Sequence, residues 1–315
     1  MQDEHPLRDD FWSSLAPDLS AIKVPMLVCG SFSDNNLHTR GSVRAFTRGG
    51  SAHARLYTHR GGKWATFYSE EGLAEQLDFF RGVLDGAAGS RSVRLEVRED
   101  RDTITAVREE AEWPLARTRW RPLYLTEAGM LTPDRPPTTG GIAFETLSNA
   151  AAFSWRVPAD IELTGPMVAR LWVELDGCND ANLFVGVEKW RDGRFVEFEG
   201  SYGYGRERVT TGWQRVALRA LDPGLSRPWE PVPACTEPRP VSAGEVVAVD
   251  VELGPSATLF RAGEQLRLVV GGRWLCPRNP ITGHFPAAYV NSARGRVTVH
   301  WGPGHDAHLL IPEIP

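Results

Sequence analysis

The sequence predicts a molecule in two parts, a short α/β unit followed by an antiparallel β-sandwich or jelly roll. Three observations carry that expectation. The run IKVPMLVCG (22–30) is continuously apolar and ends on a glycine, the form of a strand covered on both faces. In SEEGLAEQLDFFRGVL (69–84), a serine cap precedes Leu73, Leu77, Phe80 and Leu84 at helical spacing, which predicts a terminal amphipathic helix. Beyond residue 91, segment after segment alternates apolar and polar positions between turn residues, the pattern of half-buried antiparallel strands.

Taken in order, the buried strand runs from Val24 to Cys29, breaks at Gly30 and delivers Asp34 into a polar loop. The segment from Leu37 to about Arg48 reads as a short helix, and ARLYTH (54–59) as a second short strand. DGAAGSR (85–91) reads as a linker. Residues 1–86 are thus expected to form the α/β part, 87–91 the connection and 92–315 the β part. Within the latter, strands are expected at 92–99, 118–126, 167–176, 181–190, 193–200, 245–253, 265–272 and 295–302. Most of the 23 prolines and 31 glycines fall after residue 120, in keeping with short strands and frequent turns. No period of 20–50 residues is found, which argues against a solenoid or propeller.

Composition narrows the function classes. A balance of 35 basic against 40 acidic residues, without long runs of either sign, lacks the clustered basic footprint that nucleic acid or an anionic membrane requires. No apolar run approaches the ~20 residues that span a bilayer. The start MQDEHPLRDDFWSS is too polar for a signal or transit peptide, so the expected location is cytoplasmic. Cys29, Cys178, Cys235 and Cys276 lie far apart with no C-x-x-C pair, so reduced thiols are expected rather than a zinc or redox centre. His300, His305 and His308 match no zinc signature, and neither metal nor cofactor is expected. Trp155, Trp172, Trp190, Trp213, Trp229 and Trp274 are read as core or interdomain contacts ahead of a carbohydrate platform.

The chemistry concentrates in the first part. Asp34 follows one parallel strand and His59 ends the next, with one helix and one strand between them, as adjacent parallel strands require. This is the order in which the acid and histidine of an α/β-hydrolase triad occur. A carboxylate there accepts the imidazole N–H and fixes its tautomer, and the histidine shuttles a proton. Spacing alone favours a plainer alternative, in which Asp34 caps the following helix and His59 is a turn residue. His38 and His53 compete less well, being too close to Asp34 and before the strand respectively.

The stretches FWSSLAPDLSAIKVPMLVCGSFSDNNLHTRGS, LYTHRGGKWATFYSEE and EWPLARTRWRPLYL resemble the CocE/NonD family of serine hydrolases, which includes cocaine-esterase and Xaa-Pro dipeptidyl-peptidase types. LTGPMVARLWVEL, DANLFVGVEKW, SATLFRAGEQLRLVV and LLIPEIP extend the resemblance to the end of the chain. It implies the last strands and C-terminal helix of an α/β-hydrolase sheet, then a jelly roll of galactose-binding-like architecture. It also implies Asp34 as triad acid and His59 as triad histidine, although Tyr57 and Thr58 stand where the family has Pro-Trp.

No nucleophile accompanies them. No G-x-S-x-G elbow precedes Asp34; GGSAH (49–53) lacks the final glycine, and EGSYGYG (199–205) has Glu199 at the first glycine position. Ser31 and Ser33 share the loop of Asp34 and are too near it to complete a triad. About two parallel strands also bury too little to stand alone. The chain is therefore expected to be the C-terminal portion of a larger hydrolase of acyl esters or amides, inactive by itself. The expected partners are an N-terminal hydrolase half or a second copy, plus a small ester or peptide substrate in the completed enzyme. The alternative is a non-catalytic binding or interaction module with a vestigial hydrolase segment.

Overall fold

The computed structural model describes residues 3–35, 37–200, 206–275 and 292–315. Its first part opens with a short helix, α1 (Asp10–Leu15), capped by the Asp9 carboxylate on the Trp12 amide. There follow β1 (Met26–Ser31), α2 (Thr39–Arg48), β2 (Ala54–His59), α3 (Lys63–Phe67) and α4 (Glu70–Leu84). α4 starts where the sequence places its cap: the Ser69 hydroxyl accepts the Gly72 amide at 3.0 Å. Gly72 is required by close approach, because a Cβ there would lie 2.2 Å from the Thr66 carbonyl of α3.

β1 and β2 pair in parallel, Met26 opposite Ala54 through Ser31 opposite His59. β3 (Ser92–Arg98) adds in parallel to β2, and β4 (Ile104–Glu110) folds back antiparallel on β3. The sheet thus runs straight across the 85–91 connection. Met26, Val28, Ala54 and Leu56 on one face of the parallel strands meet Val43 and Phe46 of α2, together with Val93, Leu95 and Val97 of β3. The small α/β unit therefore has no separate core: its apolar face is completed by the β-rich part.

That part is built on two long strands, β9 (Ile161–Asp176) and β15 (Val246–Phe260), which pair antiparallel over most of their length. β5 (Arg119–Thr126), β6 (Met130–Thr132), β7 (Gly140–Glu145) and β8 (Ala150–Arg156) precede β9. Between β9 and β15 come β10 (Asn182–Arg191), β11 (Arg194–Val196), β12 (Phe198–Glu199), β13 (Arg206–Glu207) and β14 (Thr210–Arg215). β16 (Gln265–Gly271), β17 (Arg296–Trp301) and β18 (His308–Ile314) close the chain. Alternate residues such as Leu171, Val173 and Leu175 of β9, Val249 and Val251 of β15, and Leu183, Val185 and Val187 of β10 converge on one large apolar core. The strand count exceeds the eight expected, while the antiparallel alternation holds.

Two features depart from the sequence reading. β1 is less buried than expected: it is the terminal strand of the sheet, Met26–Val28 are only partly buried and Cys29 is exposed. The stripe on α4 does not face a core either, since Leu73, Leu77, Phe80 and Leu84 are between 45% and 83% exposed. Trp64, Phe67 and Tyr68 of the adjoining α3 region extend this apolar surface. Such a stripe normally seals against a neighbour, and an uncovered one of this size marks a contact surface. No helix among the described residues is long and apolar enough to cross a membrane.

The expected tryptophan roles agree with the packing. Trp155 is buried in the core, Trp229 stacks on Trp120 with ring centres 5.3 Å apart, and Trp213 meets Trp274 edge-on. Cys276 and Ser201 lie outside the described residues, as does most of the loop 273–285.

Candidate functional site

Parallel pairing brings the C-terminal ends of β1 and β2 side by side, and both sequence-selected residues emerge there. Asp34 and His59 are 2% and 5% exposed, so both are buried polar groups. Backbone bonds fix the loop between β1 and α2. The Phe32 amide donates to the His59 carbonyl at 2.8 Å, and the Asp34 carbonyl accepts from the amides of Leu37, His38 and Thr39. The Thr39 hydroxyl closes the loop onto the Ser31 carbonyl. The Ser31 and Ser33 hydroxyls both donate to the Gly61 carbonyl, at 2.8 and 3.1 Å, and so hold the turn after His59. Both bonds tie the loop that carries Asp34 to the turn after His59.

His38, at the N-cap of α2, makes no side-chain cap, and Asp34 meets the start of the helix through its backbone carbonyl while its side chain contacts Lys63. It turns toward a half-open pocket of about 180 Å³ that His59 also lines, with Leu27, Cys29 and Tyr57 as the sheet floor and α3 and α4 as the far wall. The carboxylate Oδ2 lies 3.2 Å from the Lys63 ammonium and 4.0 Å from His38 Nε2. His59 is not joined to it: the imidazole Nδ1 is buried without a hydrogen-bond partner. The structure thus brings acid and histidine to one cavity but leaves the bond between them unmade.

Burial dominates the titration of His59. It pushes the imidazole down to about 4, with the Arg94 guanidinium acting in the same direction and the Gly61 backbone and Glu71 opposing. Neutral imidazole is therefore the folded-state form. Because the folded value lies below the ordinary one, folding stability is full at neutral pH and declines as pH falls from about 6.5 toward 4. Chemical denaturation at pH 7 and pH 4.5 should show a loss from this group of roughly 2–3 kcal/mol that is missing in His59→Phe. Equal losses in both proteins would show that the histidine is not the titrating group.

Sequence reading missed Lys63. Its signal was only a lysine four residues after the histidine, hidden in a Gly-Gly turn. The histidines of the C-terminal part go elsewhere: His300 Nε2 bonds Glu174 at 2.9 Å, and His305 packs on Trp172. Among the described residues no cluster of three or more metal-binding side chains occurs.

Asp34 and His59 thus stand at the ends of adjacent parallel strands that continue into a large antiparallel β structure. Residues 86–310 match the family model of the X-Pro dipeptidyl-peptidase C-terminal non-catalytic domain. The chain belongs to that family and corresponds to the C-terminal portion of CocE/NonD proteins. It superposes on a CocE/NonD family hydrolase from Staphylococcus aureus with a TM-score of 0.94 at 30% identity, covering 99% of this chain and 58% of that one. The cocaine esterase of Rhodococcus sp. (strain MB1 Bresler) is 23% identical over 99% of this chain and 60% of its own length. An aminopeptidase from a marine-sediment Thaumarchaeota archaeon shares the fold, with a TM-score of 0.68 at 16% identity. The chain thus spans about three fifths of the relatives it matches.

Proposed function

We propose that this chain is the acid- and histidine-bearing C-terminal portion of a CocE/NonD-type serine hydrolase that cleaves acyl esters or amides. Asp34 orients His59, His59 takes the proton of a serine supplied by another polypeptide segment, and an acyl-serine intermediate follows. In this reading residues 1–86 belong to the hydrolase sheet, 87–91 connect, and 92–315 form a jelly roll that braces the sheet. The observation that carries it is the convergence of buried Asp34 and His59 on one cavity at the unpaired edge of a parallel sheet. A further parallel strand added to β1 would bring its own C-terminal end beside that cavity. The uncovered stripe on α4 offers the same incoming segment an apolar seat.

The test is reconstitution. The reading frame preceding the Met1 codon is sequenced for G-x-S-x-G and its product co-expressed with this chain. Hydrolysis of a p-nitrophenyl ester and labelling by a fluorophosphonate probe should require both polypeptides. A stable complex with neither activity nor labelling would favour the interaction-module reading, to which the non-catalytic character of the matching family model also points.

Leu77→Glu with Phe80→Glu probes the seat. Both positions are exposed, so stability of the chain should change by no more than about 0.5 kcal/mol each. Co-purification of the second polypeptide should be lost, and undiminished co-purification would place its contact elsewhere.

A further inference from the structure

The cavity holds an arrangement that the proposed chemistry does not use. A carboxylate meant to orient an imidazole instead faces an ammonium. Lys63 sits at the start of α3, mostly buried, with Nζ 3.2 Å from Asp34 Oδ2, while the Nδ1 of His59 has no partner. An unpartnered ring nitrogen in a buried site is costly, and the natural acceptor for an Nδ1–H lines the same cavity.

We propose that Lys63 is a latch on the acid–histidine pair: its ammonium holds the Asp34 carboxylate in the position seen here and keeps it from His59 until α3 shifts. This inference rests on Asp34 and His59 being the acid and histidine of the site. α3 is well placed to move. It is a single short turn whose Trp64 and Phe67 are about half exposed, and it adjoins the α4 surface proposed to receive the serine-bearing segment. Seating that segment and withdrawing Lys63 then become one event, so a competent dyad forms only where a nucleophile is present. Lys63 is here a positioning residue acting through Asp34.

Several other charges bear on the pair. His38 approaches Asp34 from α2, Glu75 lines the cavity from α4, and Glu71 of α4 bonds Arg94 of β3, which also lies 3.6 Å from Glu96. A change in His59 titration on removing Lys63 therefore has to be separated from simple loss of a nearby positive charge. A double-mutant cycle does this.

The experiment follows the titration and tautomer of His59 by ¹⁵N NMR of the full chain in the wild type, Lys63→Met, Asp34→Asn and the double variant. The His59 resonance is assigned by its loss in His59→Phe. Lys63→Met should strengthen proton binding by His59 at least tenfold and place a proton on Nδ1. In the Asp34→Asn background the same substitution should have less than a third of that effect. Lys63→Arg, which keeps the charge, should behave as wild type and shows that the methionine variant has not merely altered α3. Equal effects of Lys63→Met in both backgrounds would make Lys63 a bystander cation and overturn the latch, as would no effect in either. The parent reading fails separately: a reconstituted enzyme fully active as His59→Ala would remove the dyad even if the coupling were measured.

Discussion

Alanine at position 59 should lower turnover of the reconstituted hydrolase by about 10⁴- to 10⁶-fold, and Asp34→Asn by about 10⁴-fold. The reasoning is geometric before it is chemical. His59 is the last residue of β2 and lies directly opposite Ser31 in the register, three residues before Asp34. The Phe32 amide on the His59 carbonyl ties the two strand ends together. A serine delivered at the edge of β1 would therefore meet an imidazole that the sheet already holds in place. Without that imidazole the hydroxyl has no acceptor for its proton. In Asp34→Asn the imidazole loses the carboxylate that selects its tautomer and stabilises its charged form. The pH profile separates these roles. The base works as neutral imidazole, so kcat/KM should fall as pH drops through the His59 pKa. Removing the Asp34 charge destabilises imidazolium and should move that acid limb to lower pH. A single-exponential burst of p-nitrophenol at several pH values measures both effects. If His59→Ala and Asp34→Asn retained full activity, the proton shuttle would lie elsewhere.

The parts of this site that the sequence made legible are those encoded locally. The bounds of β2 and the Ser69 cap of α4 could be read because each is signalled within a few residues. Placing Asp34 and His59 at neighbouring strand ends needed only the length of the connection between them. Other features depend on what is absent from the neighbourhood. The apolar run of β1 and the stripe of α4 look the same in sequence whether a partner covers them or not, so β1 was read as covered on both faces and α4 simply as amphipathic. β9 and β15 were read too short because each contains a Gly-Pro pair, Gly165-Pro166 and Gly254-Pro255, that resembles a strand end. In the structure both strands continue through these pairs, with Gly165 at φ +146° and a register shift between Leu253 and Ser256, as at a β-bulge. β7, β8 and β14 escaped because GGIAFE, AAAFSWR and TTGWQR are small or polar at half their positions, and only pairing with β17, β16 and β10 makes them strands.

Glu264→Ala should destabilise the whole chain by about 3–5 kcal/mol, the largest loss expected of a residue remote from the cavity. Lys189 and Glu264 are 0% and 4% exposed and pair at 2.9 Å. The ammonium spends its other protons on the carbonyls of Glu99 and Leu259, at 2.8 and 2.7 Å. Glu264 also accepts from the Arg191 guanidinium and the Arg261 amide. Burial already drives the Lys189 pKa down, and the Glu264 carboxylate is the main influence raising it again. Removing that carboxylate leaves a buried charge with only neutral acceptors, whereas Lys189→Met leaves Glu264 its two other donors and should cost much less. Lys189→Met with Glu264→Leu should lie closer to wild type than Glu264→Ala does, because no charge remains buried. The sign of the pH dependence is diagnostic. A lysine whose folded pKa is depressed favours the neutral form, so Glu264→Ala should regain stability as pH rises from 7 toward 10. Urea denaturation across that range measures it, and a pH-independent deficit would point to lost packing instead. The consequence reaches the Asp34–His59 pocket because Lys189 grips the chain just beyond β3, the third strand of the parallel sheet. Its neighbour Arg98, fully buried and pushed down to about 9 by that burial, reaches the Phe32 carbonyl at 3.4 Å and the Val209 carbonyl at 2.5 Å. Through these two cations the β-rich part holds both the strand and the loop on which Asp34 and His59 depend. In Glu264→Ala the Phe32 amide should accordingly lose hydrogen-exchange protection ahead of the β9–β15 core.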